Sequence, residues 1–256
     1  MVGVANCRFI NCRFVQVGFT GADDMLAEME AEGDLTLRAR YPFRVLPGMD
    51  PGEFALGEAW RERYNSPFLK QDFVKIFMDG VIETTTAAML DDYGGHRGVT
   101  GECLFGASEF DAICIEAARR GFSIAVHAIG DAAVRRTLDG YQAAARATGR
   151  SDLRHRVEHI ESIHPDDFGR FAELGVIASF QPTHAPGGTY PKEPTRSLLG
   201  EERMKLICRG RPSATPARAF AFHPIGRFRR SSRLFRLPQR FCASLPCPAR
   251  PTSGRP

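Results

Sequence analysis

Two histidines, each at the end of an apolar run, are the residues of this sequence best suited to chemistry. His127 ends the run in FSIAVHAIGD, and His159 follows 32 residues later in LRHRVEHIES. Neutral imidazole is a good zinc ligand, and a hydrolytic site needs several ligands around one open position. For either histidine alone, a hydrogen-bonded core role is the better interpretation. Because both stand at corresponding strand ends, the pair favours a shared metal site.

A lysine inside another apolar run is the third candidate. Lys75 lies within DFVKIFMDG, where a charged ammonium group is costly to bury. One interpretation pairs it with Asp79 at the end of the same strand. The other leaves it neutral and available for chemistry, because buried lysines shift their pKa readily. The residues alone favour the paired, structural lysine.

Several polar residues near the predicted strand ends have weaker claims to function. Asp131 starts a predicted helix, where an N-cap is favoured and a contact with a metal ligand is the alternative. Glu158 is predicted to point to the opposite strand face from His159 and to be structural. Gln181 and His184, in SFQPTHAPGG, follow a strand and are candidates for substrate contact. Three other histidines are interpreted as surface residues: His96, His155 and His164.

A regular alternation of strand and helix patterns positions these residues. Apolar runs predict strands over Ser123–His127, Arg154–His159 and Val176–Gln181. Amphipathic segments between them predict helices that end at glycines, the usual residue just past a helix end. A long Thr- and Gly-rich loop over residues 81–106 follows the Lys75 strand, where substrate contacts tend to lie in a barrel. The alternation indicates an α/β fold with a parallel sheet or barrel.

Composition divides the chain into two parts. The net charge of +4 conceals a tail, residues 207–256, with eleven Arg and no Asp, Glu or Lys; residues 1–206 carry 23 basic and 30 acidic side chains. The 256 residues suit one α/β domain or most of a (β/α)8 barrel. No apolar stretch is long enough to span a bilayer, and no signal-peptide pattern occurs. Seven scattered cysteines, an odd number, favour a reducing cytoplasm over a disulfide scaffold.

Four ordered blocks resemble the YtcJ-like branch of the amidohydrolase 3 family, within the metal-dependent amidohydrolase superfamily. They are DFVKIFMDGVIETTTAAMLDDY, VHAIGDAAVRRTLDGYQAAARATG, DLRHRVEHIESIHPDDFGRFAELGVIASFQPTHA and LLGEERM. The resemblance covers roughly residues 18–206. It implies a (β/α)8 barrel whose metal site takes an HxH pair from strand 1, a lysine from strand 4, histidines from strands 5 and 6, and an aspartate from strand 8.

The resemblance implies roles for three residues of this sequence. Lys75 matches the strand 4 lysine, which is often carboxylated in this superfamily so that its carbamate bridges two metals. His127 and His159 match the strand 5 and strand 6 ligands. The implied cofactor is a divalent metal, zinc by expectation, with one or two ions in an intact relative. The implied substrate is a small amide-type molecule. The resemblance therefore favours a neutral, chemically used Lys75 over the paired, structural lysine that the residues alone favour.

The sequence also departs from the family pattern at both ends. No HxH occurs in it, and no SDWP block of strand 8 follows a DAGA turn. We therefore expect an incomplete barrel, about strands 2–7, in residues 1–206, followed by an irregular basic tail in residues 207–256. If the codons of residues 222–228 are read in a shifted frame, they are compatible with the family motif PSDWPVS. In the same frame, the codons of residues 214–218 are compatible with DAGA. A disordered or out-of-frame tail is therefore expected, and a basic nucleic-acid-binding arm is the disfavoured alternative.

The predicted function is that of a cytoplasmic metal-dependent amidohydrolase acting on C–N bonds other than peptide bonds. The expected metal ligands are Lys75, His127 and His159. The expected substrate contacts are Gln181 and His184. Asp79 and Asp131 are expected to contact the ligands without binding the metal. Three ligands without HxH or the strand 8 aspartate predict weak metal binding and little or no activity, with no catalytic residue assigned. The alternatives are a non-catalytic fragment and an esterase or lactonase on the same site.

Overall fold

The computed structural model describes residues 5–8, 22–180, 184, 186, 191–207 and 220–222. These residues form seven strands and six α-helices. The strands are β1 (Ala5–Arg8), β2 (Leu37–Arg44), β3 (Leu69–Phe77), β4 (Ser123–Ala128), β5 (Arg156–His159), β6 (Ile177–Phe180) and β7 (Phe220–Phe222). The helices are α1 (Ala22–Ala31), α2 (Phe54–Arg63), α3 (Ala107–Arg119), α4 (Asp131–Thr148), α5 (Phe168–Glu173) and α6 (Thr195–Met204).

The seven described strands form one parallel sheet in sequence order, from β1 to β7. One of the six helices lies between each strand and the next along the chain, so the chain repeats a strand–helix unit. This is the strand order along the wall of an α/β barrel, whereas a doubly wound sheet reverses its order. The α/β class and the parallel sheet predicted from the sequence are confirmed.

One face of the sheet packs against the helices and forms the main hydrophobic core. Val74 and Ile76 of β3, with Ile124 and Val126 of β4, share this core with buried side chains of α3 and α4. Successive side chains of a strand point to opposite faces, so every second residue belongs to this layer. Because residues on the other face are buried as well, strands such as β4 read as compact apolar runs.

The other face of the sheet carries the polar side chains. Register aligns Lys75 with Ala125 and then with Arg156 across β3, β4 and β5. One step further along, His127 is aligned with Glu158. Lys75, His127, Arg156 and Glu158 therefore share the face away from the helices. Most of the chemistry predicted from the sequence lies on this face or at its carboxyl edge.

The predicted helix boundaries are largely confirmed. Helix α4 ends at Gly149, whose φ of 68° is the left-handed conformation that glycine adopts without strain. Strand β1 was not predicted, because four residues flanked by a repeated NCRF give no clear period. No helix in the described ranges has both the length and the apolar composition needed to cross a bilayer.

The predictions for the tail remain predictions. Of residues 207–256, the structure describes only Ile207 and the strand Phe220–Phe222, which pairs with β6. The proposed shift of frame, the expected disorder and the boundary at residue 206 therefore lie almost wholly outside the described residues.

Candidate metal centre

Lys75 is buried on the polar face of β3 with 2% of its surface exposed. Its Nζ makes no hydrogen bond with any residue that the structure describes, and it lies 4.5 Å from the centroid of the Phe77 ring. Burial lowers the pKa of Lys75 to about 7, while the charge of Glu158 acts in the opposite direction. An ion pair with Asp79, the structural interpretation of this lysine, is not formed.

Asp79 instead binds backbone N–H groups of two other segments. Its Oδ2 accepts hydrogen bonds from Ala88 at 3.0 Å and Gly130 at 2.8 Å, and its Oδ1 accepts one from Ile129 at 3.0 Å. Burial raises the pKa of Asp79 to about 7, although these three bonds favour the carboxylate. Its Oδ1 also lies 3.7 Å from Nε2 of His127. Asp79 thus lies next to His127, a candidate ligand.

His127 lies near the carboxyl end of β4 and is 8% exposed. Its Nε2 is 3.0 Å from the carbonyl oxygen of Gly80. Since a carbonyl can only accept, Nε2 carries the proton and Nδ1 keeps the electron pair that a metal needs. Burial, and then the nearby charge of Lys75, lower the pKa of His127 to about 3. The imidazole is therefore neutral at physiological pH.

His159 ends β5 in an unusual backbone conformation. Its φ is 74°, and that of the following Ile160 is 53°, both in the left-handed region that non-glycine residues rarely adopt. Register aligns His159 with Ala128, which belongs to the helix-facing core. The His159 ring nevertheless contacts that of His127, with 4.6 Å between centroids. The left-handed turn brings both predicted histidines together at the carboxyl edge.

Glu158 corrects one expectation from the sequence. It was predicted to point away from the site, but register places it on the same polar face as Lys75 and His127. It is fully buried, and its Oε1 lies 2.8 Å from Nε of Arg156. Its structural role as the partner of a buried arginine agrees with the prediction. The side chain that leaves its predicted face of the sheet is that of His159, because His159 has a left-handed φ.

Glu161 is a site residue that the sequence analysis missed. It is 7% exposed, and its Oε1 lies 3.1 Å from Nδ1 of His184. The rings of His159 and His184 stack with 5.3 Å between centroids and 18° between planes. Ligand atoms of His159, Glu161 and His184 all lie within 4.8 Å of one another. The available signal was an acidic residue two positions beyond a strand-end histidine.

The remaining predicted residues are not gathered at this cluster. Asp131 is the first residue of α4, and its N-cap is Gly130, so the predicted N-cap is displaced by one position. Oδ1 of Asp131 accepts the N–H of Leu90 at 2.8 Å and ties the 81–106 loop to α4. Gln181 lies outside the described residues. His184, predicted to contact substrate, lies against His159 and Glu161.

The 81–106 loop is held in place by packing and hydrogen bonds. Ile82, Met89 and Tyr93 pack with Leu198 and Leu199 of α6 in a second hydrophobic cluster. The side chain of Thr195 also donates a hydrogen bond to Glu83 at 2.9 Å. Together with Asp79 and Asp131, these contacts fix the loop beside the carboxyl ends of β3 and β4.

The donor set fits a divalent metal ion. Lys75 supplies a buried amine whose pKa is lowered to about 7, and His127 supplies a neutral imidazole. His159, His184 and Glu161 add two imidazoles and a carboxylate within 4.8 Å of one another. Imidazole nitrogen and carboxylate oxygen are the ligands that zinc and similar borderline ions prefer.

Comparison with known proteins identifies the family of the chain. The sequence model of the Amidohydrolase family matches residues 12–224. YtcJ of Bacillus subtilis is 26% identical over 184 residues, which cover 71% of this chain and 33% of that protein. The N-substituted formamide deformylase of Arthrobacter pascens is 25% identical over 175 residues, covering 64% of this chain and 32% of that enzyme.

A solved structure has the same fold. An uncharacterized metal-dependent hydrolase from Pyrococcus horikoshii matches with a TM-score of 0.60 and 25% identity, over 73% of this chain and 36% of that one. The chain thus spans about a third of the length of these relatives. Because the family match extends over most of its length, the chain is a member of the amidohydrolase-3 family.

Proposed function

We propose that the protein is a metal-dependent hydrolase that cleaves C–N bonds other than peptide bonds in small amide-type substrates. Family membership supports hydrolysis, and one relative acts on N-substituted formamides according to its name. The observation that carries the proposal is the buried Nζ of Lys75, which has no hydrogen bond within the described part of the chain. It lies on the same face as His127, whose ring contacts His159.

The sheet supports this function if it forms part of an eight-stranded barrel. Strands β3, β4 and β5 then take the places of strands 4, 5 and 6, with Lys75, His127 and His159 in the positions that the resemblance implies. Parallel strands of a barrel direct such residues to the carboxyl-terminal face, where barrel enzymes have their active sites.

The proposed ligands are Lys75, His127 and His159, with zinc as the expected ion. A bound divalent ion would supply a positive charge that polarises a carbonyl oxygen and makes water more acidic. Lys75 would join that site as a carbamate: its neutral Nζ bonds to the carbon of CO₂ and loses one proton. The apolar setting that lowers the pKa of Lys75 to about 7 makes the neutral amine available.

The protein's own groups would hold and orient the ligands. The carbonyl of Gly80 keeps the proton of His127 on Nε2 and leaves Nδ1 as the donor atom. Asp79 fixes the start of α4 against the loop through Ile129, Gly130 and Ala88. These bonds set the orientation of the His127 imidazole before a metal ion binds.

The proposed place of action is the cytoplasm. This part of the proposal relies on the seven cysteines of the sequence, an odd number. Cys103 and Cys114 are both free thiols. Fractionation of cells that produce the tagged protein tests it, and recovery in a secreted fraction would contradict it.

Hydrolysis assays test the proposed function directly. The purified protein, supplied with Zn²⁺ or Co²⁺, is offered an N-substituted formamide, an N-acyl amine, a carboxylic ester and a lactone. We expect slow, metal-dependent release of amine from an amide substrate, because the sequence lacks HxH and the strand 8 aspartate. His127→Asn and His159→Asn are expected to abolish it. His96→Asn, the same change at an exposed histidine, is the matched control and is expected to have no effect.

The alternatives predict different results from the same assays. Cleavage of the ester or lactone alone would replace the amidohydrolase by an esterase or lactonase on this site. Failure to cleave any substrate, with metal bound and the protein folded, would favour a non-catalytic fragment and refute the proposal.

A further inference from the structure

We infer that His159, Glu161 and His184 form a divalent-metal site, with Glu161 and His184 as ligands that the proposed function does not use. The inference rests on the proposed function in one respect, namely that the ion is the cofactor of the same centre. The ion would have two imidazoles, one carboxylate and an open position. This is a donor set found in catalytic zinc sites.

The distances allow an ion to bind with small side-chain movements. Ligand bonds of roughly 2.0 to 2.2 Å in a tetrahedral zinc site place neighbouring ligand atoms about 3.4 Å apart. Glu161 Oε1 and His184 Nδ1 are already 3.1 Å apart, and all three ligand atoms lie within 4.8 Å of one another. Contraction of the longest separation by about 1.4 Å completes this geometry. Rotation about side-chain bonds supplies such a shift.

Charge around Glu161 also favours a cation. Among the described residues its carboxylate contacts the imidazole of His184 and forms no salt bridge with a lysine or arginine. The carboxylate of Asp79 is close enough for the two negative charges to repel. Buried carboxylates are normally paired with a cation or coordinate a metal. A divalent ion between Glu161 and the two imidazoles would provide that missing charge.

The backbone at the end of β5 gives a second reason to assign Glu161 to the site. Residues 159 and 160 both adopt left-handed φ values, which cost free energy in residues other than glycine. This turn follows β5 directly and brings both His159 and Glu161 to the side chain of His184. Backbone strain of this kind is concentrated at functional sites.

The chemistry of the donors restricts the ion. Two imidazole nitrogens and one carboxylate oxygen suit zinc and other borderline transition metals, whereas calcium and magnesium prefer sites built from oxygen. The absence of HxH from the sequence makes this set relevant, because Glu161 and His184 supply donors that the chain otherwise lacks.

Metal titration of the full chain tests the inference without requiring activity. Zn²⁺ binding is measured by equilibrium dialysis, and Co²⁺ binding by its visible absorption, which reports imidazole and carboxylate coordination. Because Glu161 and His184 add two donors, we expect at least one tightly bound ion per chain, in place of the weak binding expected from Lys75, His127 and His159 alone. Glu161→Gln and His184→Asn are each expected to weaken binding roughly tenfold or more, about 1.4 kcal/mol. The control His96→Asn is expected to bind as the unmodified protein does.

Substitution of the other candidate ligands separates the two proposals. Lys75→Met and His127→Asn are expected to retain the tightly bound ion while losing hydrolysis.

Retained binding in Glu161→Gln and His184→Asn, or no binding by the unmodified protein, would overturn the inference. If metal-dependent hydrolysis persists in those two variants, the proposed function survives. If the ion binds at this site and no substrate is cleaved, the inference survives and the proposed function fails. If Glu161→Gln fails to fold, His184→Asn still tests the inference, because His184 is only partly buried and its substitution leaves the core intact.

Discussion

Replacing Gly130 by alanine should be among the most damaging single-methyl changes in this protein. Gly130 joins β4, which carries His127, to α4. A Cβ atom here would overlap the carbonyl oxygen of Ala88 and lie 2.8 Å from its backbone nitrogen. The obstacle is backbone, so no side-chain rotation can relieve it. Either the loop that contains Ala88 or the start of α4 must move.

The expected cost follows from the bonds that this movement breaks. The Ala88 carbonyl accepts the N–H groups of Ala132 at 3.1 Å and Ala133 at 3.3 Å, and Gly130 N–H donates to Asp79 at 2.8 Å. At about 1 kcal/mol for each bond, their loss removes about 3 kcal/mol from the free energy of unfolding. Overpacking adds roughly 1 to 3 kcal/mol, and the lower entropy of the unfolded alanine chain offsets up to about 1 kcal/mol.

Urea unfolding followed by circular dichroism measures this cost. We expect Gly130→Ala to lose about 3 to 6 kcal/mol, the sum of these contributions. The control is Gly169→Ala in α5, where a Cβ meets only Glu173 Oε1 at 3.6 Å. That variant should be unchanged or stabilised by up to about 1 kcal/mol. A Gly130→Ala protein as stable as the unmodified one would show that the Ala88 carbonyl does not lie at the start of α4.

Three further predictions concern buried polar groups. Asp79→Asn should lower the free energy of unfolding by about 1 to 3 kcal/mol, because the amide turns a donor towards backbone N–H groups that need an acceptor; an unchanged urea midpoint would contradict this. Lys75→Met should raise the free energy of unfolding by about 1 to 3 kcal/mol, since it replaces a buried amine that has no hydrogen bond among the described residues by an apolar chain; a less stable variant would show that Lys75 supports the fold. Burial lowers the pKa of His155 to about 4, and its Nδ1 accepts the N–H of Ile124. As the pH falls, the unfolded chain therefore takes up a proton on His155 before the folded chain does. The free energy of unfolding should fall by about 2 to 3 kcal/mol as the pH drops from about 6.5 to 4. His155→Gln should lose that part of the pH dependence of the melting temperature, and an identical dependence would refute the assignment.

The sequence predicted the elements around the site because their patterns are strong. Amphipathic periodicity predicted α3 and α4, and short apolar runs predicted β4, β5 and β6. His155 was expected on the surface, yet its ring stacks on Tyr141 with 4.8 Å between centroids. The sequence could not show this contact, because it depends on how α4 packs beside the start of β5.

Glu161 was missed for a related reason. Its approach to His184 depends on two consecutive left-handed residues, His159 and Ile160, and neither is a glycine that would signal such a turn. Alternation along a strand correctly places Lys75 with His127, but it fails where the backbone leaves the strand conformation. The short strand β1 was missed because four residues give too few repeats to show a period.

If the proposed metal site is correct, the left-handed pair at His159 and Ile160 would also link folding to metal supply. Each such residue costs roughly 1 to 2 kcal/mol, a substantial fraction of the net stability of about 5 to 15 kcal/mol typical of folded domains. An ion that binds only the native chain at 100 times its Kd would add about 2.7 kcal/mol and offset much of that cost. In metal-poor cells a larger fraction of the protein would then be unfolded and open to proteolysis, so metal availability would affect its abundance as well as its activity.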